Sequence, residues 1–265
     1  MQANWPFPDK RLAIIGMVHL KPLPGSPLFE RLDTVIDSAL ADVKALEEGR
    51  VDGIMVENFN DMPFYKDDVP KETVASMTRA CAEILKSTSL PIGINVLRND
   101  SIASMAIASS CGARFIRANI LTDAYVTDQG IIEGNAYKLL RYRRALNAES
   151  IAIWADVHSK HASPLSTRRL ELAVIDTVER GLADAIIVTG ERTGSAPQPS
   201  DIKIAKRYSR VIVGSGVHPS NARVLLKLAD AAIIGTYFKQ EGQVRNRVDV
   251  ERVKKLMNLV KEINQ

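Results

Sequence analysis

The chain has 265 residues, 46% hydrophobic and 25% charged, with 35 Lys and Arg against 31 Asp and Glu and a formal net charge of +4. These are values of an ordinary soluble globular protein, and the length suits one α/β barrel of about 250 residues. The charges are interspersed, aromatics are 5%, and no basic stripe carries them, which argues against nucleic-acid binding.

No linker interrupts the sequence, so residues 1–265 read as one domain. Cys81 and Cys111 fall in apolar helical contexts at no metal-ligand spacing and read as reduced core thiols. The N-terminus lacks the apolar stretch of a signal peptide. No apolar run reaches the roughly 18 residues of a spanning helix, so no transmembrane segment is expected. A cytoplasmic location is the expectation.

The predicted elements alternate along the chain. A strand at 12–18 ends on His19 and is followed by a helix at 31–48. A strand at 53–57 ends on Glu57 and Asn58, before a helix at 70–87. The third strand, 91–96, carries Asn95 and precedes a helix at 100–111. The fourth, 114–119, carries Arg117 and Asn119 and precedes a helix at 134–146. The fifth, 151–157, carries Asp156, with His158, Lys160 and His161 just beyond it and a helix at 166–180. Strands six to eight, 184–189, 210–214 and 230–235, lead to Thr189 and Gly190, to Gly214-Ser215-Gly216, and to Gly235 and Thr236. A final helix covers 249–263.

Strands that are apolar on both faces belong in a buried parallel sheet. Eight strand–helix units predict an α/β protein with a closed (β/α)8 TIM barrel. The competing fold is an open doubly wound sheet, but the Gly-x-Gly-x-x-Gly dinucleotide fingerprint is missing. A weak repeat supports the barrel. Gly49-Arg-Val-Asp-Gly-Ile-Met-Val resembles Gly181-Leu-Ala-Asp-Ala-Ile-Ile-Val and Leu228-Ala-Asp-Ala-Ala-Ile-Ile-Gly. The two glycines suit left-handed helix ends, and the Asp residues suit structural roles at the bottom of the barrel.

In a barrel, function gathers where strands end and βα loops begin. Three of the four histidines fall there, which points to a functional pocket. The spacing of Asp156 and His158 puts both on one face of a strand. Asp156 can then orient His158 for acid–base work. Asp156, His158 and His161, with His19 nearby, can instead ligate a divalent metal, or the Asp–His pair can serve packing alone. Arg117 needs a partner inside the barrel, either Glu57 or an anionic substrate. The glycines of Gly214-Ser215-Gly216 and Gly235-Thr236 let backbone amides approach a phosphate, and Pro219 and Ser220 open a helix behind them. Their alternative is turn geometry. Residues 189–194, Thr-Gly-Glu-Arg-Thr-Gly, read as a lid.

Six segments together resemble the BtpA/SgcQ family. They are Gly16-Met-Val-His-Leu-Lys-Pro-Leu-Pro-Gly-Ser-Pro27, Val51-Asp-Gly-Ile-Met-Val-Glu-Asn-Phe59, Gly93-Ile-Asn-Val-Leu-Arg-Asn-Asp100, Val126-Thr-Asp-Gln-Gly-Ile-Ile-Glu-Gly134, Ala155-Asp-Val-His-Ser-Lys-His161 and Val213-Gly-Ser-Gly-Val217. The chain departs from the family pattern at His218 and at Arg245-Asn-Arg247. The resemblance implies a phosphate-binding barrel of the ribulose-phosphate-binding type and fixes no reaction.

Two functions follow as expectations. The first is an enzyme for a phosphorylated sugar or ribosyl compound: an isomerase, lyase or hydrolase. Its catalytic candidates are Asp156, His158, Glu57 and His19. Asn58, Asn95, Arg117, Asn119, Lys160, His161, Thr189 and Gly190 would hold substrate, and Gly214, Ser215, Gly216, Gly235 and Thr236 would hold phosphate. The second is a non-catalytic assembly factor, as the family's photosystem I association implies. The apolar loop residues Met62, Pro63, Phe64 and Tyr65 suggest burial in a homo-oligomer or under the Trp5-Pro-Phe segment.

Overall fold

A computed structural model describes residues 4–264. The barrel strands are β1 (Ala13–His19), β2 (Gly53–Glu57), β3 (Ile92–Asn95), β4 (Phe115–Ala118), β7 (Ala152–Val157), β9 (Ala185–Val188), β10 (Val211–Val213) and β11 (Ala231–Ile234). They pair in parallel and close into the predicted barrel, β11 returning to β1. The predicted helices form as α1 (Leu32–Glu48), α2 (Lys71–Ser87), α3 (Ser101–Cys111), α4 (Ala136–Ala145), α5 (Leu170–Glu179) and α8 (Val250–Asn264). Shorter helices α6 (Pro199–Lys206) and α7 (Pro219–Leu225) complete the ring. Among the described residues, no helix is long and apolar enough to cross a membrane.

Successive strand residues face opposite sides. The barrel interior is packed by Ala13, Ile15 and Met17 of β1, Met55 of β2, Phe115 of β4, Trp154 of β7 and Ile187 of β9. Phe115 and Trp154 stack with ring centroids 3.9 Å apart. Gly93 makes room for them, since a Cβ there would lie 2.0 Å from the Phe115 ring. The outward parity packs against the helices in a second, larger cluster.

The N-terminal end of the barrel is closed by Trp5 and Phe7. Trp5 lies 5.6 Å from Trp154, and Phe7 lies 6.2 Å from Phe115. The Trp5-Pro-Phe segment therefore does not cover Met62–Tyr65, which sit in the β2–α2 loop at the opposite end, where Tyr65 is exposed.

The repeated Asp residues have one job. Asp52, Asp184 and Asp230 each accept a hydrogen bond from a backbone amide of a neighbouring strand: Ile14, Ile153 and Val211, at 2.8 Å in every case. The glycines before two of them are not left-handed. Gly49 has φ −73°, and the positive φ falls one residue later, on Arg50 and Leu182. Gly49 and Gly181 are required by space instead. A Cβ on Gly49 would lie 2.2 Å from Val253, and one on Gly181 would lie 2.7 Å from the Thr177 carbonyl.

One feature is unforeseen by the sequence pattern. β5 (Ala124–Thr127), β6 (Gly130–Glu133) and β8 (Ala162–Pro164) form a separate antiparallel sheet beside the barrel mouth. It joins the β4 and β7 loops, and Tyr125 and Ile132 pack against Ile120 beneath it.

Candidate functional site

The interior parity that packs the barrel continues upward into polar residues. His19 follows Met17, Glu57 follows Met55, Asn95 follows Gly93, and Arg117 and Asn119 follow Phe115. Asp156 follows Trp154, Thr189 follows Ile187, and Gly235 follows Ile233. The strand period alone thus assembles most of the predicted residues at the C-terminal mouth.

Glu57 is the hub. Its Oε2 accepts a hydrogen bond from Asn95 Nδ2 at 2.5 Å and lies 4.0 Å from Arg117 Nη1. Its Oε1 lies 3.9 Å from His19 Nε2. The His19 ring stacks on Phe59 at 4.5 Å, and its Nδ1 lies 3.4 Å from the Val244 carbonyl. Burial, aided by the nearby cations Lys239 and Lys160, holds the His19 pKa well below its ordinary value. His19 is therefore a neutral imidazole at neutral pH.

Asp156 does not orient His158. Both its oxygens are taken by Arg117, from Nε at 2.9 Å and Nη2 at 2.8 Å, and Ser159 Oγ donates to Oδ2 at 3.3 Å. His158 adopts φ 47°, a left-handed conformation that ends the strand period and swings its ring out of line with Asp156. Its buried Nε2 has no partner, burial lowers its pKa, and the carboxylates facing it are Asp201 and Asp123. The expected Asp156–His158 acid–base pair is not formed.

The expected metal set is not formed either. Among the described residues, no three His, Cys, Asp or Glu side chains converge as ligands. His161 is exposed, and its Nε2 meets Thr193 Oγ1 at 3.0 Å and accepts from the Thr193 amide at 3.2 Å. His161 N also donates to the Glu191 carbonyl at 3.1 Å, so this residue ties the β7 loop to the 190–196 loop. His161 also has a positive φ, 54°. Two left-handed non-glycine residues in one short loop carry strain of order 1–3 kcal/mol each.

That loop delivers Lys160 to the mouth. Lys160 lines a narrow axial cavity of about 30 Å³ with His19, Glu57, Arg117, Thr193 and Gly235. Burial, with Arg117 and Arg98 nearby, lowers its amine pKa to about 8. A second cavity, of about 170 Å³, opens beside the first and shares Gly194, Gly216, Gly235 and Thr236 with it. It adds Arg252, whose Nε donates to the Tyr237 carbonyl at 2.7 Å and whose guanidinium lies 4.6 Å from the Tyr237 ring centroid.

The anion-binding expectation narrows here. Gly216 is left-handed at φ 72°, as its turn demands. Among the described residues, the Gly216 and Thr236 amides have no backbone acceptor. The Gly214 amide is spent on the Val188 carbonyl at 2.9 Å. Ser215 Oγ donates to the Ser195 carbonyl at 2.6 Å and accepts from the Gly190 amide at 3.3 Å. The Gly214 and Gly190 amides and the Ser215 hydroxyl are therefore spent on holding loops together, while Gly214 and Ser215 still line the axial cavity. Helix α7 has only seven residues, and Asn221 Oδ1 accepts from the His218 amide at its start, so the helix behind Gly216 adds no anion site.

Asn58 is likewise structural. Its Oδ1 accepts from the Leu97 amide at 2.7 Å, and its Nδ2 donates to Asp61 at 3.1 Å. Other groups remain open. Asn95 Oδ1, both polar atoms of Asn119 and Thr189 Oγ1 are buried without a partner. The 190–196 loop lies over the mouth, where Thr193 and Gly194 reach the axial cavity and Ala196 packs against Gly216. Thr193 and Gly194 belong to the segment read from the sequence as a lid, whereas Arg252 was missed. Arg252 lies in the first turns of α8, where an arginine reads as an ordinary solvated residue. Arg98, also missed, is buried and supports the site by donating to the Lys160 carbonyl at 2.7 Å.

Comparisons with known proteins agree with this architecture. The structure of N-(5'-phosphoribosyl)anthranilate isomerase from Pyrococcus furiosus is similar in fold, with TM-score 0.59 at 10% identity, covering 95% of this chain and 99% of that one. A tryptophan synthase structure from M. tuberculosis aligns with TM-score 0.60 at 16% identity, over 96% of this chain and 93% of that one. Among relatives by sequence, an uncharacterized protein of Methanocaldococcus jannaschii is 46% identical over 96% of this chain and 97% of its own length. The photosystem I biogenesis protein BtpA of Synechocystis is 45% identical over 94% of this chain and 88% of its own length. The model of the BtpA family matches residues 10–262, and the chain belongs to the BtpA family.

Proposed function

We propose that this protein is an enzyme that binds a phosphorylated sugar or ribosyl compound at the barrel mouth and moves protons with Glu57 and His19. The carrying observation is the ring of buried polar atoms without partners: Asn95 Oδ1, Asn119 Oδ1 and Nδ2, and Thr189 Oγ1. Each such atom costs about 1–3 kcal/mol when nothing polar meets it. They stand on the same inward strand parity as Glu57, next to the axial cavity without lining it, and a hydroxyl-rich substrate that enters the mouth would give them partners. The Gly216 and Thr236 amides, with Arg252, suit the phosphate of that substrate in the adjoining cavity.

Glu57 Oε2 is held by Asn95, while Oε1 faces His19. Oε1 is placed to take a proton from a substrate carbon. The neutral His19, with its Nδ1–H directed at the Val244 carbonyl, presents Nε2 as an acceptor that can take a proton from a substrate hydroxyl. Arg117, fixed by Asp156, adds positive charge beside Glu57. Proton transfer next to a carbonyl is the step that sugar-phosphate isomerases and aldol-type lyases share. The experiment is a panel of phosphorylated aldoses, ketoses and ribosyl compounds in D2O, followed by proton NMR. Glu57→Gln should lower turnover or exchange by roughly 10²-fold or more while leaving the fold intact. Turnover unchanged in Glu57→Gln would contradict this assignment.

A second reading is favoured by the name of the Synechocystis relative: a non-catalytic assembly factor. It predicts no exchange with any member of the panel. In either case a second copy of the chain suits the exposed apolar β2–α2 loop around Tyr65. Light scattering that shows a monomer would remove that homo-oligomer.

A further inference from the structure

Lys160 is the one basic group in the axial cavity whose charge the protein does not match. The carboxylates near it are committed elsewhere. Asp156 is chelated by Arg117, and Glu57 is bonded to Asn95 with His19 and Arg117 alongside. Among the described residues, no hydrogen bond or ion pair engages the Lys160 Nζ, although the side chain is only partly exposed. Its backbone, by contrast, is pinned. Arg98 donates to its carbonyl at 2.7 Å, and the next residue's amide bonds to Glu191 at 3.1 Å. The loop thus sets an unmatched amine in the wall of the same cavity as Glu57 and His19.

We infer that Lys160 is a catalytic nucleophile that forms an imine with the carbonyl carbon of a phosphorylated aldehyde or ketone. This rests on the reading of the mouth as a phosphorylated-sugar site and names its substrate class. The neutral amine's lone pair attacks the carbonyl carbon, and the C=O π pair moves to oxygen. A proton passes from nitrogen to that oxygen to give a carbinolamine. The carbinolamine then loses its hydroxyl as water, after protonation by a neighbouring acid, and the nitrogen pair forms C=N. Glu57 Oε1 is the nearby group that can carry these protons, and the same carboxylate can then remove a proton from the adjacent carbon. No oxidant or reductant is needed. An amine that titrates near 8 offers about a quarter of its molecules as the nucleophile at pH 7.5, against about a thousandth for an ordinary lysine.

The test is reductive trapping on the full-length protein with glycolaldehyde phosphate as the probe and sodium borohydride as the reductant, at neutral pH. Peptide mass spectrometry reads the labelled lysine, and a thermal shift with inorganic phosphate reads the anion site separately. The expected result is labelling of Lys160 about tenfold or more above any surface lysine, in line with its larger free-amine fraction. Unphosphorylated glycolaldehyde should label it less. Lys160→Arg should abolish that label and keep the phosphate shift. Labelling spread evenly over surface lysines, with the phosphate shift present, overturns the imine and leaves the phosphorylated-sugar reading standing. Absence of both the label and the phosphate shift overturns both.

Discussion

Arg117 and Asp156, on the adjacent strands β4 and β7, form a two-pronged ion pair of 2.9 and 2.8 Å inside the barrel, with both side chains almost wholly shielded from solvent. This pair removes Asp156 from histidine chemistry and fixes Arg117 beside Glu57. Breaking a buried pair from one side strands the other charge, at about 3–5 kcal/mol. Asp156→Ala should therefore lower stability by about that amount in urea unfolding. The double variant Arg117→Met, Asp156→Leu should be more stable than Asp156→Ala, because no guanidinium is left without Asp156 and Glu57 keeps its hydrogen bond from Asn95. A double variant less stable than the single would mean that the pair is not the source of the loss.

His158 tests the relocation of the chemistry. Its ring lies outside the axial cavity and has no link to Asp156. His158→Asn should leave turnover within a few-fold of wild type under the panel assay. A loss of roughly 10²-fold would return the acid–base role to His158 and contradict the Glu57–His19 assignment.

Lys160 makes a prediction about stability and pH. Its folded pKa is about 8, against an ordinary value of 10.5. Between those values the unfolded chain holds more protons than the folded one, so this group's contribution to stability rises with pH across that window. Below pH 8 the buried charge imposes its full cost. Lys160→Met should consequently raise Tm at pH 7 by a few degrees, and the gain should shrink as pH rises from 8 towards 10.5. Thermal melts at several pH values check this. A variant less stable than wild type at pH 7 would show that Lys160 is matched by a partner in the folded protein.

Much of the architecture was legible because it follows from period alone. Valine- and isoleucine-rich runs gave the eight barrel strands, and the same inward parity carried His19, Glu57, Asn95, Arg117 and Asp156 to one mouth. The failures share a cause. The Asp156–His158 reading extended the strand period past Val157, where a left-handed residue ends it. Strand-end position also says nothing of which hydrogen bonds a loop already uses, as the Gly190 and Gly214 amides, Ser215 Oγ and the Asn58 side chain do. Phe7 and Trp5 closing the barrel floor, and the β5–β6–β8 sheet, depend on contacts distant in sequence that no local pattern encodes.

The most direct test of the central claim is a crystal structure of the protein soaked with ribose 5-phosphate. The account predicts phosphate density within hydrogen-bond distance of the Gly216 and Thr236 amides and of Arg252, with sugar hydroxyls reaching Asn95, Asn119 and Thr189 above Glu57. A sugar phosphate bound away from these groups, or a mouth filled only by ordered water at saturating ligand, would contradict it.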